Sequence, residues 1–136
     1  MAVKQLSVFL ENKEGRLQDV FNLLKEANVN VVSASLADTK DYGVLRALVD
    51  DNDKAQAALK SHGISSKLVD IIAINIPHTV GSLSEVLNAI ADADINVSYM
   101  YGLSTGDTGA SIAIKTNDIP GTEKALANLD IREIEI

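Results

Sequence analysis

An internal repeat constrains this chain more than any other feature. Sliding the sequence against itself by 66 positions aligns Gly15 with Gly81, Leu17 with Leu83 and Val20 with Val86. The same offset aligns Asn22 with Asn88, Ala27 with Ala93, Asn30 with Asn96 and Val31 with Val97. It continues through Thr39 and Thr105, Asp41 and Asp107, Gly43 and Gly109, and Ala47 and Ala113. Chance matches would scatter over many offsets, so a single register of this length marks a duplicated unit. The chain divides accordingly into residues 1–70 and 71–136, with the join near Lys67 to Asp70. No Pro/Gly/Ser linker marks that join, so the halves are expected to abut. A unit of about 66 residues is small for independent stability, which favours a packed pair over beads on a string.

The hydrophobic pattern gives the elements of one unit. Lys4 to Leu10 alternates, with Leu6, Val8 and Leu10 on one face, and predicts a strand; its copy carries Ile72, Ile74 and Ile76. A polar turn follows, Glu11 to Gly15 and Pro77 to Gly81. Leu17, Val20, Phe21, Leu24 and Ala27 then recur at helical spacing, as do Leu83, Val86, Leu87, Ile90 and Ala93. Ser82 with Glu85 fits a capping box, and Gly15 with Gln18 is a weaker version. Asn28 to Asn30 breaks the first helix. Two strands joined by a Gly- and Asp-containing turn are expected next, Val31–Ala37 with Val44–Val49, and Val97–Leu103 with Ala110–Lys115. The turns fall around Lys40 to Gly43 and Gly106 to Gly109. A second helix is expected from about Asp53 to His62, stopped by Gly63; its copy starts at Asp118-Ile119-Pro120, where Pro suits a first turn. Final strands are expected over Ile64–Val69 and Ile131–Ile136. The order strand-helix-strand-strand-helix-strand, twice over, predicts an α+β fold: two ferredoxin-like βαββαβ units, each an antiparallel sheet with both helices on one face.

Composition excludes several functions. The formal net charge is -7, of which residues 71–136 carry -6 with 3 bases against 9 acids. Such a charge gives no long-range attraction to phosphate backbones, and 4% aromatic residues leave few stacking platforms, so nucleic acid is not an expected partner. The absence of cysteine excludes disulfides, thiolate metal sites and cysteine nucleophiles. No apolar run reaches the roughly 18–20 residues of a membrane span, and no signal peptide is evident. A cytoplasmic location is expected.

The run Leu6-Ser7-Val8-Phe9-Leu10-Glu11-Asn12-Lys13-Glu14-Gly15-Arg16-Leu17, followed by Val20 and Ala27-Asn28-Val29-Asn30-Val31, resembles the ACT domain. Ile74-Asn75-Ile76-Pro77-His78-Thr79-Val80-Gly81-Ser82-Leu83, with Ile95-Asn96-Val97, resembles a second one. The shared signature is a strand, a turn ending in Gly-x-Leu, an amphipathic helix and an Asn-Val strand start. The resemblance spans essentially the whole chain, with no catalytic domain attached. It implies a regulatory protein that binds small amino acids, pairs with itself, and holds ligand beside the loop between first strand and first helix. Many members carry Pro just before the loop Gly; Glu14 and Val80 stand there instead.

Elementary chemistry supports the same place. A helix N-terminus presents unpaired N–H groups and a partial positive charge, which suit an α-carboxylate. Gly15 and Gly81 allow close backbone approach. Asn30 and Asn96 can accept from an ammonium and donate to a carboxylate; in the resemblance they lie across an interface from the loop. Asn12 and His78 share the loop position that often contacts ligand by resemblance. The candidate ligand-binding set is therefore Asn12, Lys13, Glu14, Gly15, Arg16, Leu17 and Asn30, with His78, Thr79, Val80, Gly81, Ser82, Leu83 and Asn96. Each has a structural alternative: Gly15 and Gly81 as turn glycines, and Asn30 and Asn96 as helix terminators that tolerate the left-handed region. His62 reads as a helix-end histidine and His78 as a solvated loop residue, with no partner at metal-ligand spacing. Asp50-Asp51-Asn52-Asp53 lacks an EF-hand pattern and reads as a helix cap. Tyr99 and Tyr101 either share a sheet face with Val97 or border the pocket; Ser33 and Ser35 hold the aligned places. Gly102 to Gly109 has no Walker spacing and reads as a hairpin turn.

The expected function is an amino-acid-binding regulator or sensor of amino-acid metabolism, without catalysis, cofactor or metal, working as a homodimer. The alternative is a stand-alone interaction subunit that joins sheets with a biosynthetic enzyme, as the small subunit of acetolactate synthase does within the same resemblance.

Overall fold

The computed structural model describes residues 2–38, 41–105 and 108–134. The expected turn at Lys40, Gly106 and Asp107, the repeat partner Thr39, and the last residues of the final strand lie outside them. The described residues divide into two units, residues 4–69 in one and residues 70–134, with residues 2–3, in the other.

The first unit begins with β1 (Ala2–Glu11), α1 (Arg16–Glu26), β2 (Val31–Asp38), β3 (Tyr42–Val49) and α2 (Asn52–Lys60). β3 pairs antiparallel with both β1 and β2, Leu6 facing Ala47 and Leu36 facing Leu45. The Phe9 N–H donates to the Ser65 carbonyl at 3.0 Å, which brings the end of the unit beside β1. Alternation sends Leu6, Val8, Leu10, Leu45, Ala47 and Val49 to one face, where Val20 and Leu24 of α1 and Ala55 and Leu59 of α2 close over them. Full burial of each such leucine contributes about 1.5–3 kcal/mol.

The second unit follows through β4 (Ser66–Ile76), α3 (Ser82–Asp92), β5 (Val97–Leu103), β6 (Ala110–Thr116), α4 (Ile119–Leu126) and β7 (Arg132–Glu133). β6 pairs antiparallel with β4 and β5, and β7 adds to β4 on its other side. Ile72, Ile74, Ile76, Ile112 and Ile114 meet Val86, Ile90 and Leu126 in its core. Both units are thus ferredoxin-like, with an antiparallel sheet and helices packed on one face.

Four local expectations need correction. Ile64–Val69 and the strand carrying Ile72, Ile74 and Ile76 are not separate: β4 runs unbroken through the join, because no Gly or Pro interrupts Ser66–Ile76. The repeat register changes by one at the hairpin. Leu6 faces Ala47, but its copy Ile72 faces Ile114, so Ala47 corresponds to Ile114 and not to Ala113. The matches of Gly43 with Gly109 and Ala47 with Ala113 are coincidences of composition. A bulge between Val97 and Tyr99 turns Val97 and Met100 toward the core, so Tyr99 and Tyr101 do not share a face with Val97. Finally, the helix breakers in the left-handed region are Asn28 and Asp94, both at φ 58, and not Asn30 or Asn96.

Candidate functional site

Both β-to-α loops end on a left-handed glycine. Gly15 (φ 79) and Gly81 (φ 88) occupy the N-cap positions of α1 and α3, and no side chain caps either helix. The expected Ser82–Glu85 capping box does not form. Ser82 is already the first helical residue, and its hydroxyl lies 2.7 Å from the Thr79 hydroxyl instead. Backbone carbonyls serve the helix starts instead: Gly15 and Gly81 accept from Asp19 at 2.9 Å and Glu85 at 3.0 Å, and Lys13 and Thr79 accept from Arg16 at 3.4 Å and Ser82 at 3.3 Å. The remaining first-turn N–H groups are left pointing out of each helix, the arrangement that receives an anion. A Cβ built on either glycine meets nothing within 4 Å, so the glycines serve backbone conformation and not close packing.

The two loops differ in charge. In the first, Lys13 pairs with Glu11 at 2.9 Å and Arg16 with Asp19 at 3.5 Å, all of them exposed. The hydrogen bond and charge of Lys13 hold the Glu11 carboxyl below its ordinary value. The second loop, His78 to Leu83, carries no acid and no lysine or arginine. Val80 is fully exposed and Leu83 partly so.

Asn30 and Asn96 do not join these loops within their own units. Glu11 faces Tyr42 at one end of the first sheet, whereas Val31 faces Val49 at the other. Their backbones have a structural task there. The Asn30 N–H donates to the Asp50 carboxylate at 2.9 Å, and the Asn96 N–H to the Asn117 side-chain oxygen at 3.1 Å. Asp51, next in the acidic run, caps α2 by accepting from the Lys54 N–H at 3.0 Å. His62 lies just beyond α2, with Nδ1 2.9 Å from the Ser61 hydroxyl.

Each unit has a cleft at the loop end of its sheet. That of the first, about 330 Å³, is lined by Phe9, Glu11, Arg16, Tyr42, His62 and Ser65. Phe9 lies under the Lys67 ammonium, 5.9 Å from the ring centre. That of the second, about 360 Å³, is lined by Asn75, His78, Thr108, Gly109, Asp130 and Arg132. The side chain of Asn75 is buried. It donates to the Ser111 hydroxyl at 3.0 Å and accepts from Arg132 Nη2 at 2.7 Å. Asn75, Thr108, Asp130 and Arg132 are absent from the sequence-derived set, which contains His78 alone of these six. A signal existed: Arg132 is one of only three bases after residue 70, namely Lys115, Lys124 and Arg132. Among the described residues no group of His, Asp or Glu is placed to hold a metal, and no helix is long and apolar enough to cross a membrane.

Comparison with known proteins agrees with this architecture. The family model describing an ACT domain pair matches residues 1–131. A Bacteroides thetaiotaomicron protein of known crystal structure is 32% identical, over 98% of this chain and 93% of that one, with a TM-score of 0.88. The regulatory subunit of aspartate kinase from Thermus flavus has the same fold at 14% identity, over 93% and 94% of the two chains, with a TM-score of 0.64. Its Thermus thermophilus counterpart, in ligand-free form, has a TM-score of 0.63 at 15% identity, over 93% and 91%. No curated protein sequence matches the chain. With the family model covering nearly its whole length, this chain belongs to the ACT domain pair family.

Proposed function

We propose that this protein is a regulator that binds a small amino acid and performs no catalysis of its own, with ACT domains at residues 1–70 and 71–136. The observation that carries the reading is the pair of uncapped helix N-termini, each opened by a left-handed glycine at the end of a β-to-α loop. Exposed N–H donors there suit an α-carboxylate. The site consists of Asn12–Leu17 in the first unit and His78–Leu83 in the second; Asn30 and Asn96 contribute only if another copy of the chain brings them to a loop. That requirement favours a homodimer. β2 and β5 each pair on one side only among the described residues. They are the edges through which a second copy, or an enzyme under control, would add strands. The protein acts in the cytoplasm on amino-acid metabolism.

The test is thermal unfolding of the full chain against each of the twenty common amino acids. A ligand at 100 times its dissociation constant adds about 2.7 kcal/mol, a clear rise in melting temperature. No shift with any of them at millimolar concentration refutes the reading. Affinity capture that returns one biosynthetic enzyme, with no amino acid bound, would favour the interaction-subunit alternative.

A further inference from the structure

The first cleft is built from side chains that the second unit does without. Beyond the hairpin the copies correspond at one residue more than before it, Ala47 with Ile114. Tyr42 therefore stands where the second unit has Gly109, His62 where it has Leu129, and Lys67 where it has Ile134. Before the hairpin, Phe9 stands for Asn75 and Arg16 for Ser82. The second unit closes its core with none of these five side chains, and none of the five belongs to the core of the first. The fold does not account for them.

Phe9 and Tyr42 are two of the chain's five aromatic residues, and both are exposed, by 42% and 61%. Glu11 faces Tyr42 across the β1–β3 ladder, and Phe9 stands two residues before Glu11. Both rings therefore rise from one face of the sheet as diagonal neighbours. They line a cavity of about 330 Å³, at the small end of ligand sites. The groups around them suit an anion. Arg16 lines the same cavity; its Nη1 reaches Asp19 at 3.5 Å, and among the described residues its Nε and Nη2 have no partner. Nε and Nη2 form one edge of the guanidinium, which matches a carboxylate through two parallel hydrogen bonds. The Lys67 ammonium, 5.9 Å from the Phe9 ring centre, adds positive charge beside them. Among the described residues the one carboxylate on the lining is that of Glu11, and Lys13 already pairs with it at 2.9 Å. No free carboxylate is left there to receive an ammonium.

We propose that the cleft of the first unit binds an aromatic carboxylate that carries no amine, its ring against Phe9 and Tyr42 and its carboxylate on the Nε–Nη2 edge of Arg16. This ligand differs in class from the amino acid proposed above, and neither requires the other.

The test is an amide NMR titration of the full, isotope-labelled chain with hydrocinnamate. Three relatives serve as controls: phenylalanine, which adds only the ammonium, the primary amide of hydrocinnamate, which lacks the charge, and its cyclohexyl analogue, which lacks the flat ring. Expected are saturable shifts at Phe9, Tyr42 and Ser65, with hydrocinnamate bound about tenfold more tightly there than phenylalanine or the amide, and severalfold more tightly than the cyclohexyl analogue. Arg16→Gln and Phe9→Asn should each lose about tenfold in affinity; the second installs the residue that the other unit carries at this place. The comparison of compounds uses wild type alone and holds even if a variant fails to fold. Equal binding of any control at these residues, unchanged affinity in both variants, or no shift there at millimolar hydrocinnamate overturns the proposal. Tighter binding of adenosine monophosphate than of hydrocinnamate at the same residues overturns it as well. Each of these outcomes leaves the amino-acid reading standing, since that one is decided by thermal unfolding.

Discussion

Replacing Thr122 by alanine tests how the second unit holds the helix that leads into its cleft. Thr116 and Thr122 are both buried, and their hydroxyls lie 2.7 Å apart. The Thr122 hydroxyl donates to the Asp118 carbonyl at 2.7 Å, so its single proton is committed there. Thr116 must then donate to Thr122. Thr116 also accepts from the Asp118 N–H at 3.3 Å. Thr122→Ala removes two hydrogen bonds and strands the Thr116 proton in the core. At about 1 kcal/mol per bond, the cost is about 2 kcal/mol. Thr116→Val also removes two, the bond to Thr122 and the one from the Asp118 N–H, at about 2 kcal/mol. The first unit shows what the double variant would look like. By the β-ladder register and the aligned caps Asp51 and Asp118, Thr116 corresponds to Val49 and Thr122 to Ala55, and both of those pack apolar and buried. Thr116→Val with Thr122→Ala should therefore cost about 1 kcal/mol, well below the sum of its parts, because no buried hydroxyl remains unpaired. Urea unfolding of the four proteins, compared at constant denaturant slope, measures this directly. Single-variant costs that add to within about 0.5 kcal/mol would refute the hydrogen-bond assignment.

Further outcomes follow from features described above. Gly15→Ala and Gly81→Ala should each cost about 1–2 kcal/mol through the left-handed backbone alone, whereas Gly102→Ala should not, since its Cβ is equally unobstructed and its φ is not positive; thermal unfolding separates them. Gly81→Val should likewise act by strain and not by filling the loop. Leu24→Ala and Ile90→Ala, at matching places on α1 and α3, should each cost about 2–5 kcal/mol in urea unfolding. Glu11 should titrate below an ordinary glutamate by carboxyl NMR, and Lys13→Met should raise it toward that value. Because the folded value is the lower one, whatever stability the pair contributes is present above the ordinary glutamate value and fades as pH falls through the folded one. A Glu11 titration unmoved by Lys13→Met would remove that pairing.

The fold was legible because the pattern of Leu6, Val8 and Leu10, then Val20 and Leu24, reflects burial directly, and a second copy repeats it. Gly63, at φ 72, ends α2 as expected. What the pattern missed were changes of one residue. A bulge before Tyr99 and a one-residue offset in the hairpin each reverse the faces of a strand while scarcely altering composition. Similarly, Ser82 and Glu85 have capping-box spacing, but Gly81 had taken the cap position. In the candidate site, the loops were visible as glycine-ended turns. Arg132 was not, since it stands in a final strand whose sequence reads as plain alternation, and Asp130 stands in the bend before that strand. The placement of Arg132 depends on Asn75, 57 residues away.

The one-residue difference between the hairpins also limits how the two halves can be recombined. A chimaera spliced before β2 and β5 joins equivalent places, since Val31 and Val97 sit alike against Val49 and Thr116. One spliced after the hairpin at the 66-residue spacing would follow Arg46 with Ala113 in place of its counterpart Ile114. The transplanted strand would then point Ile114 away from the helices, and Ala113 and Lys115 toward them, in the places of Ala47 and Val49. Exchange of segments between the copies is thus permitted on one side of the hairpin and penalised on the other, a boundary that directed recombination of this gene should reveal as a gap in the surviving crossovers.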